Sequence, residues 1–282
     1  SSNVIAEIRL MHDSLTWLGT GLGLALHSGN KVYSYSTTTA NLSNYDQTLL
    51  VPEGGIPAIA VKGDTMAVAY SGDNGNIQVG YGLTITESAH SINDSSGILW
   101  TYLRQPIEDS DADSIIPFGE GFFRMLPVTV PEANVTYDAC INNGFLWIAS
   151  WAGGLRRYKF SNSSWEKVPL PLDTQDTLST CTGFAEGTKI KPNYYYNPRD
   201  PVDGGSHNHK AFSVLAYSDT VWVGTANGVN RGIFDRSADQ DGIGFRDCIE
   251  WEHYNYPSLS GNFVVGLEVQ RWNGKTIIWA VT

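Results

Sequence analysis

The chain has 282 residues, of which 41% are hydrophobic and only 17% charged, with a net charge of −11 from 18 basic and 29 acidic side chains. That acidic balance disfavours phosphate backbones and anionic membrane surfaces, so no nucleic-acid partner is expected. No run of 18 apolar residues occurs, which argues against direct membrane insertion by a helix in this segment.

In chain order, the first informative element is an apolar strand centred on Trp that runs into a glycine-bearing turn. Leu15-Thr16-Trp17-Leu18-Gly19-Thr20 leads into Gly21-Leu22-Gly23-Leu24. The phrase returns as Leu146-Trp147-Ile148-Ala149-Ser150 before Gly153-Gly154-Leu155, as Val221-Trp222-Val223-Gly224-Thr225 before Asn227-Gly228-Val229, and opens again at Ile277-Ile278-Trp279-Ala280-Val281-Thr282. Asp64-Thr65-Met66-Ala67-Val68-Ala69 is a worn copy, with Ala67 where the others have Trp. Each copy closes on an aromatic strand, such as Leu99-Trp100-Thr101-Tyr102, Ser164-Trp165-Glu166-Lys167 or Glu250-Trp251-Glu252-His253. The Trp-equivalent positions 17, 67, 147, 222 and 279 lie 50 to 80 residues apart, longer than the roughly 40 to 50 residues of common propeller blades, so every unit carries extra loop.

A repeated unit of this kind predicts an all-β array of four-stranded antiparallel sheets, each with its first strand near a common axis. Asn227-Gly228 reads as a hairpin with a type I′ turn, whose two central residues need positive φ. Four units and two strands of a fifth can be counted, at about 1–50, 51–105, 132–172, 208–257 and 258–282 within one segment, with insertions at about 106–131 and 183–210. The expectation is part of a larger β-propeller whose remaining blades lie beyond Thr282.

The phrase x-L-W-I-G-T-x-x-G-L-x-R, matched best by Trp222 to Arg231 and less closely by Trp147 to Arg156 and Trp17 to Leu24, resembles the two-component-regulator-type β-propeller repeat. Ser237 to Phe245 is similar to an Asp-box turn with one residue inserted. The resemblance implies a bacterial propeller found in sensor ectodomains and surface proteins, hence an extracellular, cell-surface or periplasmic location. It says little about chemistry, because propellers carry unrelated functions.

Blades hold loops rigidly, so the two insertions are the candidate functional segments. The first contains Asp109, Asp111, Asp113 and Glu120. Carboxylates at loop positions 1, 3, 5 and 12 imitate a calcium loop, although position 6 is Ser114 where a sharp turn wants Gly; the alternative is a solvated acidic loop. Calcium is the one cofactor suggested. The second insertion carries Tyr194, Tyr195 and Tyr196, followed by His207 and His209. Exposed tyrosines suit contact with a protein or glycan, while His-x-His on a strand would put both imidazoles on one face. The competing reading has these rings roofing the sheets.

Three cysteines, Cys140, Cys181 and Cys248, cannot all pair. Cys140 reads as a small buried hydrophobe, with a disulfide to Cys181 as the alternative. The sequons at Asn41, Asn93, Asn134 and Asn162 read as ordinary loop sequence. No G-x-S-x-G, H-E-x-x-H or phosphate-binding glycine loop is present, so no catalytic residue is assigned. The chain therefore reads as a secreted or surface recognition or scaffold module. Two rivals remain, a periplasmic sensor domain of a two-component receptor and a sialidase-like or other carbohydrate-active enzyme, the last decided by whether acidic side chains converge near the axis.

Overall fold

The computed structural model describes residues 4–11, 15–35, 54–74, 77–89, 100–105, 114–118, 121–125, 135–181, 207–234 and 248–282. The chain lays down antiparallel sheets one after another. The first holds β1 (Ile5–Met11), β2 (Leu15–Thr20), β3 (Gly23–Ser28) and β4 (Lys31–Tyr35); the second holds β5 (Ile59–Lys62), β6 (Thr65–Asn74), β7 (Ile77–Thr86) and β8 (Thr101–Leu103). A separate hairpin, β9 (Ser114–Phe118) and β10 (Gly121–Met125), precedes the third sheet of β11 (Asp138–Asn142), β12 (Phe145–Ser150), β13 (Gly154–Lys159) and β14 (Ser164–Lys167). The fourth sheet takes β15 (Thr177–Ser179) onto the outer edge of β16 (Ala211–Tyr217), β17 (Thr220–Thr225), β18 (Gly228–Phe234) and β19 (Ile249–Tyr254). The fifth is a pair, β20 (Gly266–Trp272) and β21 (Lys275–Val281).

The first strands β1, β5, β11, β16 and β20 pack side by side in chain order, which makes them the inner strands of the array. All-β construction from consecutive four-stranded antiparallel sheets agrees with the repeat in the sequence. The turns differ in detail. Asn143-Gly144 and Asn273-Gly274 are the hairpins with positive φ at both central residues, 50° and 77° in one and 48° and 73° in the other, as type I′ requires. At the site expected from Asn227-Gly228, Thr225 pairs with Gly228, so the central residues are Ala226 and Asn227. Gly228 instead takes φ 116° because a Cβ there would lie 2.1 Å from the Tyr254 carbonyl oxygen.

The sheets are joined by the Trp-bearing face of one packing on the next. Trp17 sits in a cluster with Ile59, Met66, Val68 and Tyr70 of the second sheet, and Trp147 in one with Val214, Val221, Val223 and Phe234 of the fourth. Between the second and third sheets the worn repeat supplies Ala58, Ala60, Ala67 and Ala69 against Leu146 and Ile148. Small side chains on one surface let bulkier ones on the other fill the space between sheets. Trp222 is half-buried. Trp279 departs from the expected burial: it lies on a strand but is 57% exposed. It also stands two residues further from its hairpin than the others, pairing with Glu268 in β20.

Of the two readings of the cysteines, the alternative Cys140–Cys181 bond does not form. Cys181 bonds to Cys248, 67 residues away, and so clamps the end of β15 to the start of β19. Cys140 remains a free, partly buried thiol, its pKa pushed up first by burial and then by the Asp138 charge. The hairpin β9–β10 gives part of the 106–131 insertion strand structure. It docks through Phe118, whose ring lies 4.6 Å from the Arg157 guanidinium; the same group stacks 4.4 Å from Phe145. Arg157 donates from Nε to Glu166 at 2.6 Å, so a buried cation is neutralised where the hairpin meets the third sheet.

Candidate functional site

Register fixes which inner-strand residues share a level. Counting back from the hairpin that ends each inner strand, the fourth residue before the last paired position is Glu7, Ala58, Asp138, Ser213 and Glu268 in the five sheets. The second before it is Arg9, Ala60, Cys140, Leu215 and Gln270. These positions fall on the same face as the repeat Trp, because strand side chains alternate with a period of two. Three carboxylates and one guanidinium are thus delivered to neighbouring inner strands.

Arg9 is the hub. Its Nε donates to the Ile59 carbonyl at 2.8 Å and lies 3.2 Å from Glu7 Oε1, while Nη2 reaches Asp138 Oδ1 at 3.2 Å. Asp138 in turn accepts from the Ala139 amide and, through Oδ2, from the Val214 amide, both at 2.8 Å. One polar string therefore crosses the first four sheets. Burial pushes the Asp138 carboxyl up to about 6, against the opposing pull of Arg9 and its two backbone donors. Glu7 is also raised by burial, with Arg9 lowering it and Glu268 adding to the rise. The charge of the fifth sheet therefore reaches the first. A partly buried acid that exchanges its proton near pH 6 beside a guanidinium can hold polar groups, but both Asp138 oxygens are already engaged in tying strands together.

Beside this cluster runs an aromatic row. Tyr137 packs against Phe212 at 5.6 Å between ring centroids, and Phe212 against Phe263 at 4.6 Å, with Phe263 half-exposed. At the opposite, hairpin end of the inner strands, Lys62, Asn142, Tyr217 and Ser218 line a groove of about 500 Å³. Lys62 donates to Asn142 there, and Asn142 donates to the Ser218 carbonyl at 2.9 Å.

The residues singled out in the sequence fare unevenly. Tyr194, Tyr195 and Tyr196, the carboxylates Asp109, Asp111, Asp113 and Glu120, and the Asp-box-like stretch lie outside the described residues. Ser114 to Phe118, the middle of the calcium-like loop, is strand β9. His207 and His209 are not on a strand: they fall on a 3₁₀ turn, His207–His209. His207 is exposed beside Asp173, at 3.3 Å from Oδ2. His209 is buried against the Leu170 carbonyl at 2.6 Å, and burial lowers its pKa, which removes it from any contact surface. Asn208 between them bonds to Pro171, Thr225 and Asn230, so the turn is a fastener for the fourth sheet. Among the described residues no group of three or more His, Cys, Asp or Glu is placed to hold a metal. Glu7, Arg9 and Asp138 went unremarked in the sequence. Their signal is the same offset from successive hairpins, which appears only once the inner strands are aligned.

No family model and no curated protein matches the chain. Solved structures to which it is similar include the extracellular domain of a one-component system from B. thetaiotaomicron, at 15% identity over 94% of this chain and 24% of that one, TM-score 0.44. Others are YCF48 bound to D1 peptide, at 12% identity over 99% and 76%, TM-score 0.35, and Cellvibrio cellulosa α-L-arabinanase complexed with arabinohexaose, at 11% over 98% and 87%, TM-score 0.38. The chain spans about a quarter of the length of the first. Similarity of this depth carries no functional argument.

Proposed function

We propose that this chain is a segment of an extracytoplasmic β-propeller acting as a non-catalytic recognition or scaffold module for a protein or glycan. The segments at about 1–50, 51–105, 132–172, 208–257 and 258–282 are its blades, the last incomplete, and the propeller is larger than these five. One observation carries the reading. The 106–131 and 183–210 insertions precede β11 and β16, so both join the array at the end where the inner strands start, beside the Tyr137–Phe212–Phe263 row and the Arg9 cluster. A rigid scaffold that carries long insertions at one end is suited to contact. The Cys181–Cys248 bond suits an oxidising compartment. Calcium at Asp109, Asp111, Asp113 and Glu120 is the weaker part of the proposal, because β9 stands between the first three and the fourth.

The test is to replace Tyr194, Tyr195 and Tyr196 together by Ser and to compare binding with the parent on a printed glycan array and a displayed extracellular-protein library. Loss of ligands at unchanged melting temperature supports a contact surface. A variant that keeps its ligands and melts several degrees lower shows the tyrosines to be sheet cover, and sinks the reading.

The convergence of Glu7 and Asp138 on Arg9 favours a second reading, a carbohydrate-active enzyme. Glu7→Gln should then abolish hydrolysis of oligosaccharides by the parent protein. Absence of any turnover in the parent removes this alternative.

A further inference from the structure

The three inner strands in the middle of the array, β5, β11 and β16, reach their hairpins at Lys62, Asn142 and Tyr217, each the last paired residue of its strand. Register thus sets an ammonium, an amide and a phenol at one level on consecutive strands. Together with the apolar residue before each of them, and with Asn143 and Ser218 in the turns, they line the groove of about 500 Å³. Sites for small ligands run from roughly 300 to 1,000 Å³. The walls of the groove belong to the second, third and fourth sheets, whose inner strands each have a neighbour on both sides. They therefore do not depend on what lies beyond either end of the chain.

The hydrogen bonds around the groove leave donors unspent. Asn142 is buried and engaged at both ends of its amide: Oδ1 accepts from Lys62 Nζ, and Nδ2 donates to the Ser218 carbonyl at 2.9 Å. Asn143 Nδ2 donates to the same carbonyl at 2.5 Å, which fills its second lone pair. Lys62 is thereby held in place with two of its three protons free to give. Among the described residues no carboxylate lies within ion-pair reach of it. Tyr217 accepts from the Arg271 guanidinium, which also stands 5.2 Å from its ring, so the phenol keeps its own proton to donate. We infer that this groove binds a small organic monocarboxylate, whose oxygens take protons from Lys62 Nζ and Tyr217 Oη while its carbon skeleton rests on the apolar lining. One ammonium matches one negative charge, whereas a phosphate or sulfate dianion would bring a second charge towards a chain of net charge −11. The carboxylate can come from a free acid or from a uronate unit of a glycan. The groove lies at the opposite end of the inner strands from the two insertions, so it is separate from the loop surface.

The test is an NMR titration of the isotope-labelled chain at low ionic strength with sodium butyrate, sodium glucuronate, glucose and sodium sulfate. Butyrate or glucuronate should shift the amide signals of Asn142, Asn143 and Ser218 with a Kd on the order of 1 mM, as one charge-assisted contact allows, and glucose should shift none of them. Tighter binding of glucuronate identifies a uronate unit as the source, and butyrate binding at least as tightly identifies a free acid; either supports the site. Lys62→Met should abolish the shifts, and Tyr217→Phe should weaken binding about tenfold. Lys62 is exposed, so its variant should melt with the parent; Lys62→Gln takes its place if Lys62→Met melts early. Absence of shifts with both carboxylates, shifts that survive the loss of Lys62, or sulfate binding more tightly than either acid overturns the inference. None of these outcomes bears on the loop surface tested with the tyrosine variant.

Discussion

The third and fifth sheets start from the same phrase and end in opposite environments. Trp147 is 1% exposed, between Phe145, Phe234 and the valines of the fourth sheet, whereas Trp279 is 57% exposed and donates its Nε1 to Gln270 at 2.9 Å. The strand and the hairpin form in both places. A repeat motif therefore specifies the local element, while burial of its Trp depends on whether another sheet lies over it.

The comparison can be broken most directly at the two tryptophans. Trp147→Ala should lower the unfolding free energy by about 3 to 5 kcal/mol, while Trp279→Ala in the chain as a monomer should change it by no more than about 0.5 kcal/mol. Urea denaturation of both variants at low concentration measures the difference, and equal effects would refute the assignment of burial to the covering sheet.

A second contrast lies in the carboxylates of the inner strands. Burial raises the Asp138 carboxyl from the ordinary 3.8 to about 6 in the folded state, so its protonated form is favoured there. Its contribution to stability is therefore fully present below pH about 4 and is lost as pH rises through about 6, by at most roughly 3 kcal/mol. Stability of the parent relative to Asp138→Asn, followed from pH 4 to 7, should fall as pH rises. A difference that grows with pH would show that Arg9 and the two amides outweigh burial.

The smallest effect separates two glycines. A Cβ on Gly224 would lie 2.3 Å from Ser213 Oγ and 2.7 Å from a Val264 methyl, whereas one on Gly266 meets nothing closer than 3.4 Å, at Val281. Gly224→Ala should thus cost about 1 to 3 kcal/mol by overpacking and Gly266→Ala far less. Thermal melts of the pair decide it, and similar losses would mean that the fourth and fifth sheets are equally tightly packed.

Much of the architecture was legible because hairpin signals and strand alternation act over a few residues. The repeated Trp phrase located β2, β12 and β17, and even the degenerate copy at Ala67 falls at the matching position of β6, two residues after the first paired residue. The turn at Asn227 was misplaced by one residue because its geometry answers to the Tyr254 carbonyl of a neighbouring strand. His207 and His209 looked like a pair on one face, but the backbone amides of His207 and Asn208 donate to the Asp173 carboxylate and curl that stretch into a turn.

The sequence by itself determined that the chain would form successive antiparallel hairpins with tryptophan on one face, since period-two alternation and glycine-bearing turns need no distant partner. Only the tertiary structure decided that Cys181 would meet Cys248 and that Arg9 would gather Glu7 and Asp138 across 129 positions of chain. It alone also decided which tryptophans are buried. These depend on which strands become neighbours, and that is fixed by the packing of whole sheets with their first strands side by side, a property no local stretch of residues contains.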